Sequence, residues 1–163
     1  MAGDGGDKYQ YQALAKRDGV DNRTPFEKQA AARFDKECES LSRTEKENKV
    51  KESAKHLLTT HTKTVNGRAE QAAITPRDIE HFVNDALFKT NGKLKLSDIR
   101  NIDKFWQEST RVVKDEPSKK GKSNITYDKY EFTLRGNKLY ISVMKKRSGS
   151  GLNLTIHAIN DRL

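Results

Sequence analysis

The chain is predicted to be an α+β fold: N-terminal helices followed by a C-terminal antiparallel β-meander with one face packed on a helix. Three observations predict it. Apolar residues recur with a period near 3.6 before about residue 110 and with a period of 2 from Tyr130 onward. Helix-start signals, Thr-Pro or Ser/Thr followed by Glu at the third position, cluster at Thr24, Ser42 and Thr75. Gly136-Asn137, a two-residue hairpin signal, separates two alternating runs.

Residues 1–23 read as a flexible arm rich in Gly, Asp and Gln. Residues 24–60 read as a charged helical extension. In its first helix Phe26, Ala30, Phe34, Cys38 and Leu41 share a face; in its second, Val50, Ala54, Leu57 and Leu58 form a narrow stripe. Residues 61–163 read as a basic α+β domain. Thr75-Pro76-Arg77-Asp78 opens its strongest amphipathic helix, with Ile79, Phe82, Val83, Ala86 and Leu87 on one side and Asn91-Gly92 as its stop. His81 lies beside that stripe and reads as structural, and His56 reads as a surface residue. Ser97 is placed to cap a helix bearing Ile99, Ile102, Phe105 and Trp106. Lys114 to Ser123 reads as a basic loop. Three strands follow: Tyr130, Phe132, Leu134; then Leu139, Ile141, Val143; then Leu152, Leu154, Ile156 and Ala158, each set alternating with polar residues.

The 163 residues carry 32 Lys/Arg and 23 Asp/Glu, a net charge of +9. The excess is uneven. From Pro117 to the end stand ten basic and three acidic residues, against 22 and 20 before it. Such a concentrated cation attracts polyanions and speeds their encounter. No apolar run exceeds three residues, so no bilayer span is expected, and Met1 to Asp7 lacks a basic-then-apolar leader. The expected location is the cytoplasm, of the producing cell or of a target cell. Cys38 is the single cysteine, which excludes an intrachain disulfide and a zinc site of paired cysteines. A Gly-rich phosphate loop ending in Lys-Ser/Thr and a zincin His pair are absent, and Ser148-Gly149-Ser150-Gly151 reads as a turn rather than a nucleophile elbow. No metal or other cofactor is expected.

A turn at Gly136-Asn137 opposes Leu134 to Leu139, Phe132 to Ile141 and Tyr130 to Val143. A four-residue loop, Arg147 to Ser150, then sets Val143 against Leu154 and Ile141 against Ile156. The apolar sets share one face. The other face places Thr133, Tyr140 and His157 in one row and Glu131, Ser142 and Thr155 in the next. Arg135 and Lys138 stand at one end, and Met144, Lys146 and Asn153 at the other. A carboxylate, an imidazole, hydroxyls and cations on one face suit metal-independent cleavage of RNA by 2′-OH attack. His157 and Glu131 are the expected acid–base groups, assisted by Tyr140 and Thr155. Arg135, Lys138, Ser142, Lys145, Lys146 and Arg147 are the expected phosphate contacts. The same face also fits a non-catalytic RNA- or DNA-binding protein, because any solvated sheet shows polar residues. A third reading is an interaction factor docking through its N-terminal helices.

Thr60-His61, Asn66-Gly67-Arg68 and Ala73-Ile74-Thr75-Pro76-Arg77-Asp78-Ile79 resemble the His…Arg…Ile-Thr-x-x-Asp-Ile helical lead-in of small toxin ribonucleases. Tyr130-Glu131-Phe132, Lys138 to Val143 and Asn153-Leu154-Thr155-Ile156-His157 are similar to their sheet and closing strand. The group is the barnase, EndoU, colicin and RelE-like superfamily of bacterial toxin and phage proteins, and the likeness covers about residues 56–160. It implies metal-independent cleavage of RNA, tRNA among the candidates, and a cognate immunity protein or antitoxin as partner. It also adds His61 as a catalytic candidate and Arg68 as a substrate contact. The chain departs from the pattern in having no histidine pair at the EndoU spacing.

Overall fold

The computed structural model describes residues 21 and 23–163. The expected arm, 1–23, falls almost wholly outside them. Helix α1 (Pro25–Glu39) and helix α2 (Arg43–Ser53) begin where the sequence places them. Thr24 and Glu27 exchange side-chain-to-backbone hydrogen bonds of 3.1 and 3.2 Å, and Ser42 and Glu45 do the same at 3.2 and 3.0 Å. These boxes satisfy amide groups that a helix start otherwise leaves orphaned. The two helices do more than extend the domain. Cys38, Val50, Ala54 and Leu57 are fully buried in the same core as the sheet. That stripe is therefore occupied within the chain.

The sheet has six strands, not three, and it is mixed. The order is β1 (Thr60–Val65), β2 (Arg68–Ala73), β6 (Gly151–Asn160), β5 (Asn137–Ser148), β4 (Ile125–Leu134), β3 (Thr110–Pro117). Every pairing is antiparallel except β2 with β6, which run parallel. Only the end of the stretch compared with a helical lead-in, from Thr75, enters a helix; Thr60 to Ala73 form the β1–β2 hairpin. Its turn is Asn66-Gly67, both at positive φ (51° and 80°), the geometry that Asn-Gly adopts most readily. Its strands, Thr-His-Thr-Lys-Thr-Val and Arg-Ala-Glu-Gln-Ala-Ala, lack an apolar alternation, so only the turn announced them. Strand β3 begins just ahead of the expected basic loop and runs into it. Two register shifts and Asp115 at φ 55° break its alternation.

The registers of the meander also differ from expectation. The β4–β5 turn is Arg135-Gly136 (φ 47° and 80°), one residue earlier than Gly136-Asn137. Phe132 consequently faces Leu139 and Tyr130 faces Ile141. Moving each partner by two residues leaves every side chain on its predicted face. Arginine is a poor residue for positive φ, and here a bidentate pair to Asp98, at 2.9 and 2.6 Å, holds it. The β5–β6 loop is also tighter than expected, with Ser148 already opposite Gly151. Val143 then faces Ile156, but Ser142 faces Ala158. His157 is the extra residue of a β-bulge. Beyond it the parity of β6 reverses, so Ile159 joins the core and Ala158 leaves it.

Helix α3 (Pro76–Phe88) packs along β6 with Ile79, Phe82 and Val83 fully buried. Strand β2 reaches β6 only at the Ala73–Thr155 pair. Past that point the helix takes the place of a strand, and Asp85 Oδ2 accepts the edge N–H of Ile159 at 2.9 Å. A 3-10 turn (Leu96–Asn101) leads into helix α4 (Ile102–Glu108). Ser97, expected as its cap, instead donates its hydroxyl to Asp35 of α1 at 2.7 Å. Trp106 of α4 meets Tyr130 edge-on at 4.7 Å, and Phe105 stacks on Phe132 at 4.9 Å. The sheet curls around this helix. Glu70 of β2 reaches across to Arg111 of β3 (2.9 Å) and to the hydroxyl of Tyr130 on β4. The core side is therefore concave and is closed by side chains rather than by backbone pairing.

Candidate functional site

On the open side of the sheet lies a cavity of about 780 Å³. Its floor is built from three neighbouring strands. Tyr127, Met144 and Thr155 form one row, and Lys129, Ser142 and Ala158 form the next. The bulged His157 projects between these rows. One wall is the first turn and a half of α3, with Thr75, Arg77, Asp78 and His81. The opposite wall is the end of β3 and the segment after it, with Glu116, Lys119, Lys120 and Lys122.

The imidazoles of His81 and His157 lie 5.0 Å apart between ring centroids, tilted by 51°. The Tyr127 ring stands 5.8 Å from that of His157. Burial holds the His157 imidazole below its ordinary pKa. The neighbouring His81 and Arg77 act in the same direction, and the Asp78 carboxylate opposes them. At neutral pH His157 is thus an uncharged imidazole, able to accept a proton. Six cations line the cavity: Arg77, Lys119, Lys120, Lys122, Lys129 and Lys146. Lys129 is engaged by Glu116 at 3.1 Å. The other five make no ion pair among the described residues. Ser142 is buried, and the Thr155 hydroxyl is covered and has no hydrogen-bond partner among the described residues. Among the described residues, no three His, Cys, Asp or Glu side chains gather closely enough to hold a metal ion.

Of the residues predicted from the sequence, the structure brings together His157, Thr155, Ser142 and Lys146. Glu131 and Tyr140 face each other on the open side but do not line the cavity. Glu131 lies four residues along β4 from Tyr127, about 13 Å at strand rise. Its carboxylate is 3.8 Å from the Lys138 ammonium. The register of β6 is the physical reason for the separation. With Ser148 opposite Gly151 and Val143 opposite Ile156, His157 falls between Val143 and Ser142 of β5, short of Tyr140, whose partner is Asn160. Arg135 is taken up by Asp98, and Lys145 points to the core side, bonded to Asp115 (2.6 Å) and Asp128 (3.2 Å). Arg147 is exposed near the β5–β6 turn, outside the cavity. His61, on the core-side parity of edge strand β1, bonds the Leu57 carbonyl at 2.8 Å. Arg68 stands at the far hairpin, across from Val65. Neither reaches the cavity.

Sequence reasoning missed His81, Asp78, Arg77, Tyr127 and the lysines after β3. One signal was present. Arg77, Asp78 and His81 are spaced i, i+1 and i+4, so they share a polar flank bordering the Ile79–Phe82 stripe. A helix flank that joins charge and imidazole beside its buried face marks a boundary where this helix meets both core and cavity. No protein-family profile, curated protein or solved structure matches the chain.

Proposed function

We propose that the cavity binds RNA and cleaves its backbone without a metal ion. The observation that carries this reading is the His81–His157 pair, 5.0 Å apart, on a cavity bordered by five cations without ion-pair partners among the described residues. Neutral His157 takes the proton from a ribose 2′-OH. The 2′-oxygen forms a bond to phosphorus, and the bond from phosphorus to the 5′-oxygen breaks. Protonated His81 gives its proton to that departing oxygen. The products are a 2′,3′-cyclic phosphate and a 5′-hydroxyl. Negative charge builds on the non-bridging oxygens as the attack proceeds, and Arg77 and Lys146, both lining the cavity, are the cations assigned to stabilise it. Tyr127, beside His157, offers a ring face for an unstacked base. DNA lacks the nucleophile and is bound without being cut. The role that the sequence suggests for Glu131 passes to the second imidazole, and the superfamily resemblance is consistent with this chemistry without being needed for it.

The test is incubation of the purified chain with an end-labelled RNA in EDTA. Fragments ending in cyclic phosphate, absent when either histidine is replaced by alanine, are the expected result. Intact RNA after long incubation overturns cleavage; if binding then persists and weakens with salt, the cavity is a binding site alone.

A further inference from the structure

Two carboxylates line the cavity, and they differ. Glu116 is neutralised by Lys129. Asp78 pairs with no cation among the described residues, although the cavity around it is strongly basic. It is 6% exposed and sits at the third position of α3. There Oδ2 accepts the backbone N–H of Thr75 at 2.8 Å and its hydroxyl at 2.9 Å. These bonds lock the side chain, and its other oxygen, Oδ1, carries no hydrogen bond among the described residues. One helical turn on stands His81, on the same flank. A capping carboxylate needs only one oxygen for the cap, and the Asp78 charge acts through space on His157, opposing the fall of its pKa.

We propose that Asp78 is the carboxylate of this site, a positioning residue that acts through the His81–His157 pair by favouring an imidazolium among the surrounding cations. The proposal deepens the ribonuclease reading and rests on it for its catalytic consequence. Glu80 adjoins His81 but is paired with Lys51, Asp85 one turn on is bonded to the Ile159 amide, and Glu116 is paired with Lys129. Without Asp78, the unpaired charges that line the cavity are all cations, which disfavour a protonated imidazole. With it, one histidine holds the proton that the leaving oxygen needs while the other stays neutral. The two rings lie 5.0 Å apart, so the effect is read on both.

The substitution D78N keeps an oxygen for the Thr75 amide and removes the charge. Both histidine titrations are followed by NMR on the intact chain, with no substrate present. In D78N the apparent midpoints are expected to fall by about 0.5 pH unit. In RNA cleavage both limbs of the rate profile move down with them, the alkaline limb toward pH 7. At pH 7 kcat falls about 3-fold, and KM stays level or improves, because an anion has left a cationic cavity. D78E, which restores the charge, restores both midpoints. Unchanged midpoints in D78N overturn the proposal, as does a loss of kcat that D78E shares. If the midpoints fall while neither wild type nor variant cuts RNA, the coupling stands and the ribonuclease reading is what fails.

Discussion

The two sides of the curled sheet hold the same kinds of residue under opposite terms. On the concave side Glu70, Arg111, Asp128, Lys145 and Asp115 form a chain of ion pairs between 2.6 and 3.8 Å, and the Tyr130 hydroxyl joins it. Lys63 donates to the Trp106 carbonyl at 2.9 Å and lies over the Trp106 and Tyr130 rings. Charges removed from water there are matched one to another. On the open side five cations without ion-pair partners among the described residues and two imidazoles line one cavity. Charge count does not separate the two sides, whereas pairing does. A matched network costs solvation once and then holds the fold. Unmatched like charges repel each other and weaken the fold unless an anion arrives.

The sharpest break of this contrast is removal of the imidazoles. H157A and H81A are each expected to lower RNA cleavage by 10²-fold or more, on the order of one lost acid or base. Thermal unfolding of either variant stays close to wild type, because neither ring anchors the core. A large loss of stability with proportionate loss of cleavage would place the histidines on the structural side of the division.

Cutting the other network should do the reverse. E70A leaves the Tyr130 hydroxyl without its partner and Arg111 with only the longer contact to Asp128 at 3.8 Å. It is expected to cost about 2 kcal/mol in urea unfolding, with cleavage per folded molecule retained. Cleavage lost while the chain remains folded would show that both sides serve the site.

Asp85 gives a third comparison, by pH. Burial pushes its carboxyl up to about 6, although the Ile159 amide opposes the shift. The folded state therefore holds a proton that the unfolded chain releases near its ordinary value of 3.8. Stability from this group is complete below that value and is lost as pH rises through about 6. D85N keeps an acceptor for Ile159 without the charge. It is expected to be more stable than wild type at pH 7.5, by about 2 kcal/mol, with the gap closing at pH 4. A gap independent of pH contradicts the assignment.

Smaller effects belong to the rim. Replacing Lys119, Lys120 and Lys122 together by Gln should weaken RNA binding and flatten its salt dependence, by about 0.7 in slope for each phosphate no longer neutralised. Stability should not change, since none of the three makes an ion pair among the described residues. E131Q is expected to alter cleavage less than about 2-fold, because Glu131 stands one row beyond the cavity. A loss as large as that of H157A would return the carboxylate role to Glu131.

Much of the helical half was legible because its signals are local. A Thr or Ser cap, an acid three residues on and an apolar stripe are read within one or two turns of chain. The face assignments of β4 and β5 were equally legible, since alternation survives a register error of two. The hairpin at Asn66-Gly67 and strand β3 escaped notice because their strands carry Thr, Lys, Glu and Asp where alternation needs apolar residues. Such strands are fixed by neighbours that lie far along the sequence.

By itself, then, the sequence determined the helix starts, the core stripe of α3, the inward set of the meander and the cationic bias of the last third. Each follows from backbone capping, side-chain period or composition. Tertiary structure alone decided which polar groups meet. The register of β6 on β5 sets His157, at a bulge, away from the row of Tyr140 and Glu131 and 5.8 Å from the Tyr127 ring. Helix α3, standing in for a strand beside β6, then brings His81 to 5.0 Å from it. A single inserted residue and a helix docked on an open strand edge are properties of pairing between distant segments. No local pattern encodes them.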